Sequence, residues 1–216
     1  MLRIVQALAS GDAPYTRTAV AGLGSALRGI YDQGEAAWHA GAPADFLAAT
    51  VYASRRYHLR VHAHAPGADD SELHTHKGAV YSMLLSGALT NTAAAPTIAR
   101  GAPGLDVWQC ACRPDGTPTQ WRTGLTAVID PGTVTTTALR TGEMFTVAPG
   151  SYHRLMISPD PHQNTMTLCL FEQLDPNAPD AFVLTNRPTP VLARRDMTTT
   201  AARAALRRLL DTAIAA

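Results

Sequence analysis

The chain has 216 residues, 46% hydrophobic and 16% charged, with a formal net charge of +1 at neutral pH. That length and composition fit one sizeable domain with a full core, and so balanced a charge gives no pull toward nucleic acid or an anionic membrane. Three cysteines make no disulfide framework, no basic-then-apolar leader opens the chain, and no apolar run approaches the ~20 residues of a membrane span, so a soluble cytoplasmic setting is expected.

Residues 1–55 read as a helical N-terminal extension. Ala and Leu are dense, Pro14, Gly22, Gly24 and 41–43 punctuate the segment, and Asp45 is placed to cap a helix over Phe46–Tyr52. From Tyr57 the pattern changes. Tyr57 to His64 alternates polar and apolar residues, as a half-buried strand does, and Pro66-Gly67 then turns the chain. Strand-like runs follow at 73–77, 79–85, 88–92, 107–112, 119–122, 125–129, 134–139, 143–148, 152–158 and 165–172. Turn signals such as Pro131-Gly132, Thr141-Gly142 and Pro149-Gly150 separate them, which predicts a sandwich or barrel over residues 56–190. Residues 191–216 predict a terminal helix, with Thr198–Thr200 as cap and Leu206, Leu209, Leu210 and Ile214 at helical spacing. That helix is expected to pack on the barrel or on a partner subunit, and the helical ends are the expected interface of a homodimer.

The chemistry concentrates in histidines. His74 and His76 flank Thr75, and side chains two apart on a strand point the same way. His153, in the run Pro149-Gly150-Ser151-Tyr152-His153, supplies a third imidazole from a neighbouring strand. Three neutral imidazoles suit Fe, Zn, Ni, Mn or Cu and leave positions open for a substrate or O2. Glu72 shares the parity of the pair and is the reserve carboxylate. Cys110-x-Cys112 either binds metal or packs beside Trp108.

Arg60, His62 and His64 lie on one face of their strand with His58. If that face looks inward, Arg60 can anchor a substrate carboxylate or phosphate, and His62 or His64 can act as base, ligand or support. If it looks outward, Leu59, Val61 and Ala63 form the core instead. Arg55 and Arg56 are rival substrate arginines. Tyr81 either donates a hydrogen bond to an oxygen at the metal or is a core tyrosine.

Gly67, His74, His76 and Gly87, followed by Gly142, Pro149 and His153, resemble the two motifs of the cupin superfamily across residues 57–172. The resemblance implies a jelly-roll barrel (a double-stranded β-helix). Val80 or Tyr81 stands where the family usually has a Glu ligand, so the site resembles the three-histidine cysteine dioxygenase group. That group implies Fe(II) on His74, His76 and His153, with His153-Arg154 matching its third ligand and the following arginine. Thr167-Leu168-Cys169-Leu170-Phe171 stands where the group has Ser-x-His-x-Tyr, so its acid–base relay is missing and cysteine is not the expected substrate. The resemblance thus implies a non-haem Fe(II) oxygenase acting with O2 on a small amino acid or carboxylate-like molecule. Competing readings are a Zn or Ni isomerase, cyclase or lyase, and a small-molecule-binding cupin without catalysis.

Overall fold

The computed structural model describes residues 2–20, 37–40, 46–64, 66–68, 72–112, 118–160, 162, 165–172, 181–188, 190 and 195–196. The expected C-terminal helix from Thr198 lies outside the described residues. At the N-terminus, α1 (Leu2–Ser10) and α2 (Ala13–Val20) are helices as expected. α1 is amphipathic and buries Ile4, Val5, Ala7 and Leu8. Nine residues are too few to hold a helix in water alone, so packing of that apolar face holds it.

The helical expectation fails further on. Ala37–Ala40 and Phe46–Ala53 are strands, β1 and β2. Phe46–Tyr52 mixes Ala with Phe, Thr, Val and Tyr and lacks a polar stripe at helical period. The edge of the next strand, β3 (Tyr57–His64), offers it backbone partners, with Thr50 opposite Arg60. Sheet pairing overrides alanine's helix preference.

The remaining strands are β4 (Leu73–His74), β5 (Val80–Ser86), β6 (Ala88–Ala94), β7 (Thr97–Arg100), β8 (Leu105–Cys112), β9 (Pro118–Val128), β10 (Thr135–Arg140), β11 (Met144–Val147), β12 (Tyr152–Ile157), β13 (Thr165–Glu172), β14 (Ala181–Thr185) and β15 (Arg195–Asp196). The runs 119–122 and 125–129 merge into β9. β7, β14 and β15 fall outside the runs read from the sequence.

Two antiparallel sheets result. Sheet I has the order β11-β5-β13-β3-β2-β1-β15, and sheet II the order β10-β6-β12-β4-β14-β8-β9-β7. Within them, β11-β5-β13-β3 and β10-β6-β12-β4 alternate between the sheets in jelly-roll order. The chain is therefore mainly β, with strands in jelly-roll order. The expected closure into a barrel does not occur: β3 pairs onward with β2, and β4 with β14, so no described strand joins the two sheets.

Both faces of sheet I are covered. Leu59, Val61, Met83, Met166, Leu168 and Leu170 point outward under Ile4, Val5 and Leu8 of α1. Their alternates point toward sheet II. There Leu84, Leu89, Leu139 and Ile157 form one apolar cluster, and Val80, Val147 and Cys169 another with Phe145 and Phe171 against it. The space between the sheets is where the histidines meet.

Candidate metal centre

β4 is only two residues long, yet it is fixed on both sides. His74 lies opposite His153 of β12 and opposite Val183 of β14. Thr75 then locks the chain to β14, its amide donating to the Phe182 carbonyl and its hydroxyl accepting from the Phe182 amide, both at 2.9 Å. The His76 carbonyl accepts from the Gly150 amide at 3.2 Å. Gly150 has φ of +72°, a conformation glycine adopts without strain, so the Pro149-Gly150 turn can reach back to His76 and set β12 beside it.

His74, His76 and His153 thereby converge, with one ligand nitrogen from each within 4.8 Å of the others. The Nε2 atoms of His76 and His153 are 2.9 Å apart. Two nitrogens bound about 2.1 Å from one metal at a right angle are separated by about 3 Å, so this pair already has the spacing of adjacent ligands. Second contacts orient the rings. His74 Nδ1 donates to the Glu72 carbonyl at 3.1 Å, and His153 Nδ1 donates to Asn91 Oδ1 at 3.0 Å. Each leaves an Nε2 lone pair for the cluster, the usual arrangement of ligand histidines.

Burial keeps the His76 and His153 rings neutral. His153 is pushed down to about 3, by desolvation first and by His74 second. His76 lies well below the ordinary histidine value, through desolvation and then through the nearby His74, His153, His62 and Arg60. Three converging imidazoles, two of them with Nδ1 held by an oxygen, fit a divalent transition metal. Glu72, the reserve carboxylate, is not in the cluster. Its contribution is the main-chain oxygen that holds His74.

β13 and β3 form the facing wall. His62 lies opposite Thr167 and Arg60 opposite Cys169. Arg60 stacks its guanidinium 5.0 Å from the centre of the Phe171 ring, and Phe171 in turn lies 5.7 Å from the His76 ring and 5.9 Å from His62. His64 Nε2 is 3.4 Å from Thr167 Oγ1. Arg60, His62 and His64 thus share the face that looks between the sheets. Leu59 and Val61 are buried as well, because α1 covers the other face.

Cys169 sits in a small polar knot. Its Sγ accepts from Ser82 Oγ and donates to Thr167 Oγ1, both at 3.3 Å, and His62 Nδ1 is 3.8 Å away. Burial pushes the thiol up, with the Ser82 and Thr167 hydrogen bonds opposing. It is held as a neutral thiol.

Two expected site residues are elsewhere. Tyr81 packs with the outer cluster under α1, because β5 turns Val80, Ser82 and Leu84 inward. Val80 therefore takes the inward place of the missing acidic ligand. Arg56 lies before β3 and pairs with Glu172 at 3.0 Å, its head stacked over Tyr57. Arg55 shares that exposed bend.

Asn91 was not singled out from the sequence, although an amide flanked by Thr90 and Thr92 on a strand is unusual enough to signal a role. Trp108, on the same face as Val183, buries an indole N–H with no acceptor among the described residues. Cys110 is buried on β8.

No family model matches the chain, and no curated protein matches it. Solved structures do. A cupin superfamily protein from Desulfitobacterium hafniense is 12% identical over 59% of this chain and 76% of its own, with a TM-score of 0.34. An RmlC-like cupin from Shewanella frigidimarina is 14% identical over 62% and 80%, with a TM-score of 0.37. Oxalate decarboxylase from Bacillus subtilis is 15% identical over 63% and 28%, also at 0.37. Superpositions this partial bear on neither activity nor ligand, so both are taken from the chain's own residues.

Proposed function

We propose that the chain is a non-haem Fe(II)-dependent oxygenase acting on a small carboxylate-bearing substrate such as an amino acid. One observation carries this reading: three histidines converge with no carboxylate beside them among the described residues, on the space that Arg60 and His62 face from the opposite sheet. A tridentate set leaves coordination positions open, which a closed structural site does not. When bound, the iron would supply the one-electron chemistry that O2 activation requires.

The protein's part is positioning. Arg60 offers a fixed guanidinium for the substrate's acidic group, its plane supported by Phe171. His62 is the inward base candidate, and the Trp108 indole N–H is a donor for a substrate oxygen. Phe171, Val80 and Val147 exclude water and raise the strength of the polar contacts between the sheets. Phe171 carries no hydroxyl and the Cys169 thiol is held neutral, so neither serves as a base. The substrate must therefore bring its own acidic proton or use His62.

The test is anaerobic loading with Fe(II), metal analysis, and O2 uptake against a panel of amino acids and small carboxylates. Iron bound in one equivalent with substrate-dependent O2 uptake is the expected result. Tightly held zinc with no O2 uptake for any substrate overturns it in favour of a non-oxidative lyase or isomerase.

A further inference from the structure

A feature that the candidate metal centre leaves unexplained is a cavity on the other side of sheet II. It has a volume of about 390 Å³ and is walled by Leu73, Leu184 and Val134, with Arg154, Arg187 and Glu72 also on its lining. That is within the range of small-molecule sites. We propose that this cavity is a second binding site, for a small amphipathic carboxylate whose apolar part lies on the leucines and whose head meets Arg154.

Three observations converge on this. Half of the lining is hydrocarbon and half is polar, with Arg154 among the polar residues. Arg154 is half-buried, and its side chain has no hydrogen bond or ion pair among the described residues. Two arginines elsewhere, Arg56 and Arg122, each hold a carboxylate, Glu172 and Asp106. A partly desolvated guanidinium beside apolar walls is stabilised by a planar carboxylate, which can accept two parallel hydrogen bonds. A single half-buried guanidinium beside apolar residues favours a monocarboxylate over a phosphate.

The site also lies back to back with the histidines. Adjacent strand residues point to opposite faces. Leu73 precedes His74, Arg154 follows His153, and Thr92, on the cavity lining, follows Asn91. The Glu72 side chain lines the cavity while its carbonyl holds His74. The site nevertheless needs no metal.

Octanoate is the probe, titrated by calorimetry into chelator-treated protein, with 1-octanol as the uncharged control. Saturable one-site binding is expected, about tenfold weaker for 1-octanol and about tenfold weaker for octanoate in Arg154→Gln. Val134→Trp, at the exposed rim, should block octanoate by filling the cavity, and His76→Ala should bind it as the parent does. Absence of saturable binding overturns the proposal, as does equal binding by Arg154→Gln. Loss of binding in His76→Ala would place octanoate at the histidines and overturn it equally. Because all arms are metal-free, none depends on the oxygenase reading.

Discussion

Asn91 makes one side-chain hydrogen bond, to His153, and that bond sets the tautomer of a metal ligand. Asn91→Leu should keep the fold and weaken metal affinity about 10–100-fold, measured by chelator competition. Unchanged affinity would show that β12 alone orients His153. His76→Ala should abolish binding of one metal equivalent, since it removes the ligand held 2.9 Å from its neighbour. The convergence of the three histidines was legible in the sequence because strand alternation forces His74 and His76 toward one face. Asn91 was not, because only the register of β6 against β12 shows an amide beside a ligand ring. Val80 and Tyr81 could not be ranked by counting from a motif glycine either. One residue of slippage exchanges inside for outside, and the pairing Val80 to Phe171 settles it.

α1 shows how an element outside the jelly roll stabilises it. Leu8 is fully buried on the outer face of sheet I. Leu8→Ala should cost about 2–5 kcal/mol of unfolding free energy, read from denaturant midpoints, with metal stoichiometry retained. Gly78 makes a sharper case. A Cβ there would collide with the Glu172 carbonyl, and Glu172 donates its amide to the neighbouring Ala79 carbonyl. Gly78→Ala should therefore destabilise more than an ordinary surface change, by about 2 kcal/mol or more, and a drop in Tm is the readout. Long alternating runs were the legible elements. β1 and β2 were misread because alanine-rich segments carry weak local preference, and the edge of β3 decided their state.

At the scale of the molecule, buried neutral histidines make stability pH-dependent. His64 is pushed down to about 4, by desolvation. In the unfolded chain it titrates near 6.5, so below that pH the unfolded state binds the extra proton first. The contribution is fully present above about 6.5 and is lost as pH falls toward about 4, up to about 3 kcal/mol for this ring. Urea midpoints of chelator-treated protein should fall across that window, and His64→Gln should flatten the slope. A slope unaltered by that change would assign the effect to other groups. The sequence could place these histidines on one strand face but not say that both faces are covered. That depended on α1 closing one side and sheet II the other.

The brevity of β4 has a consequence for how this chain can vary. Leu73 and His74 are its whole length, and each belongs to a different side of sheet II. Deleting one residue ahead of them, or inserting one, would not merely lengthen a loop. If β14 and β12 kept their positions, an offset of one would turn the imidazole toward the hydrocarbon cavity and the leucine toward the metal. Substitutions on either side of this segment can be absorbed singly, whereas changes of chain length here are lost in both compartments at once. The loop before β4 should therefore vary in composition far more freely than in length.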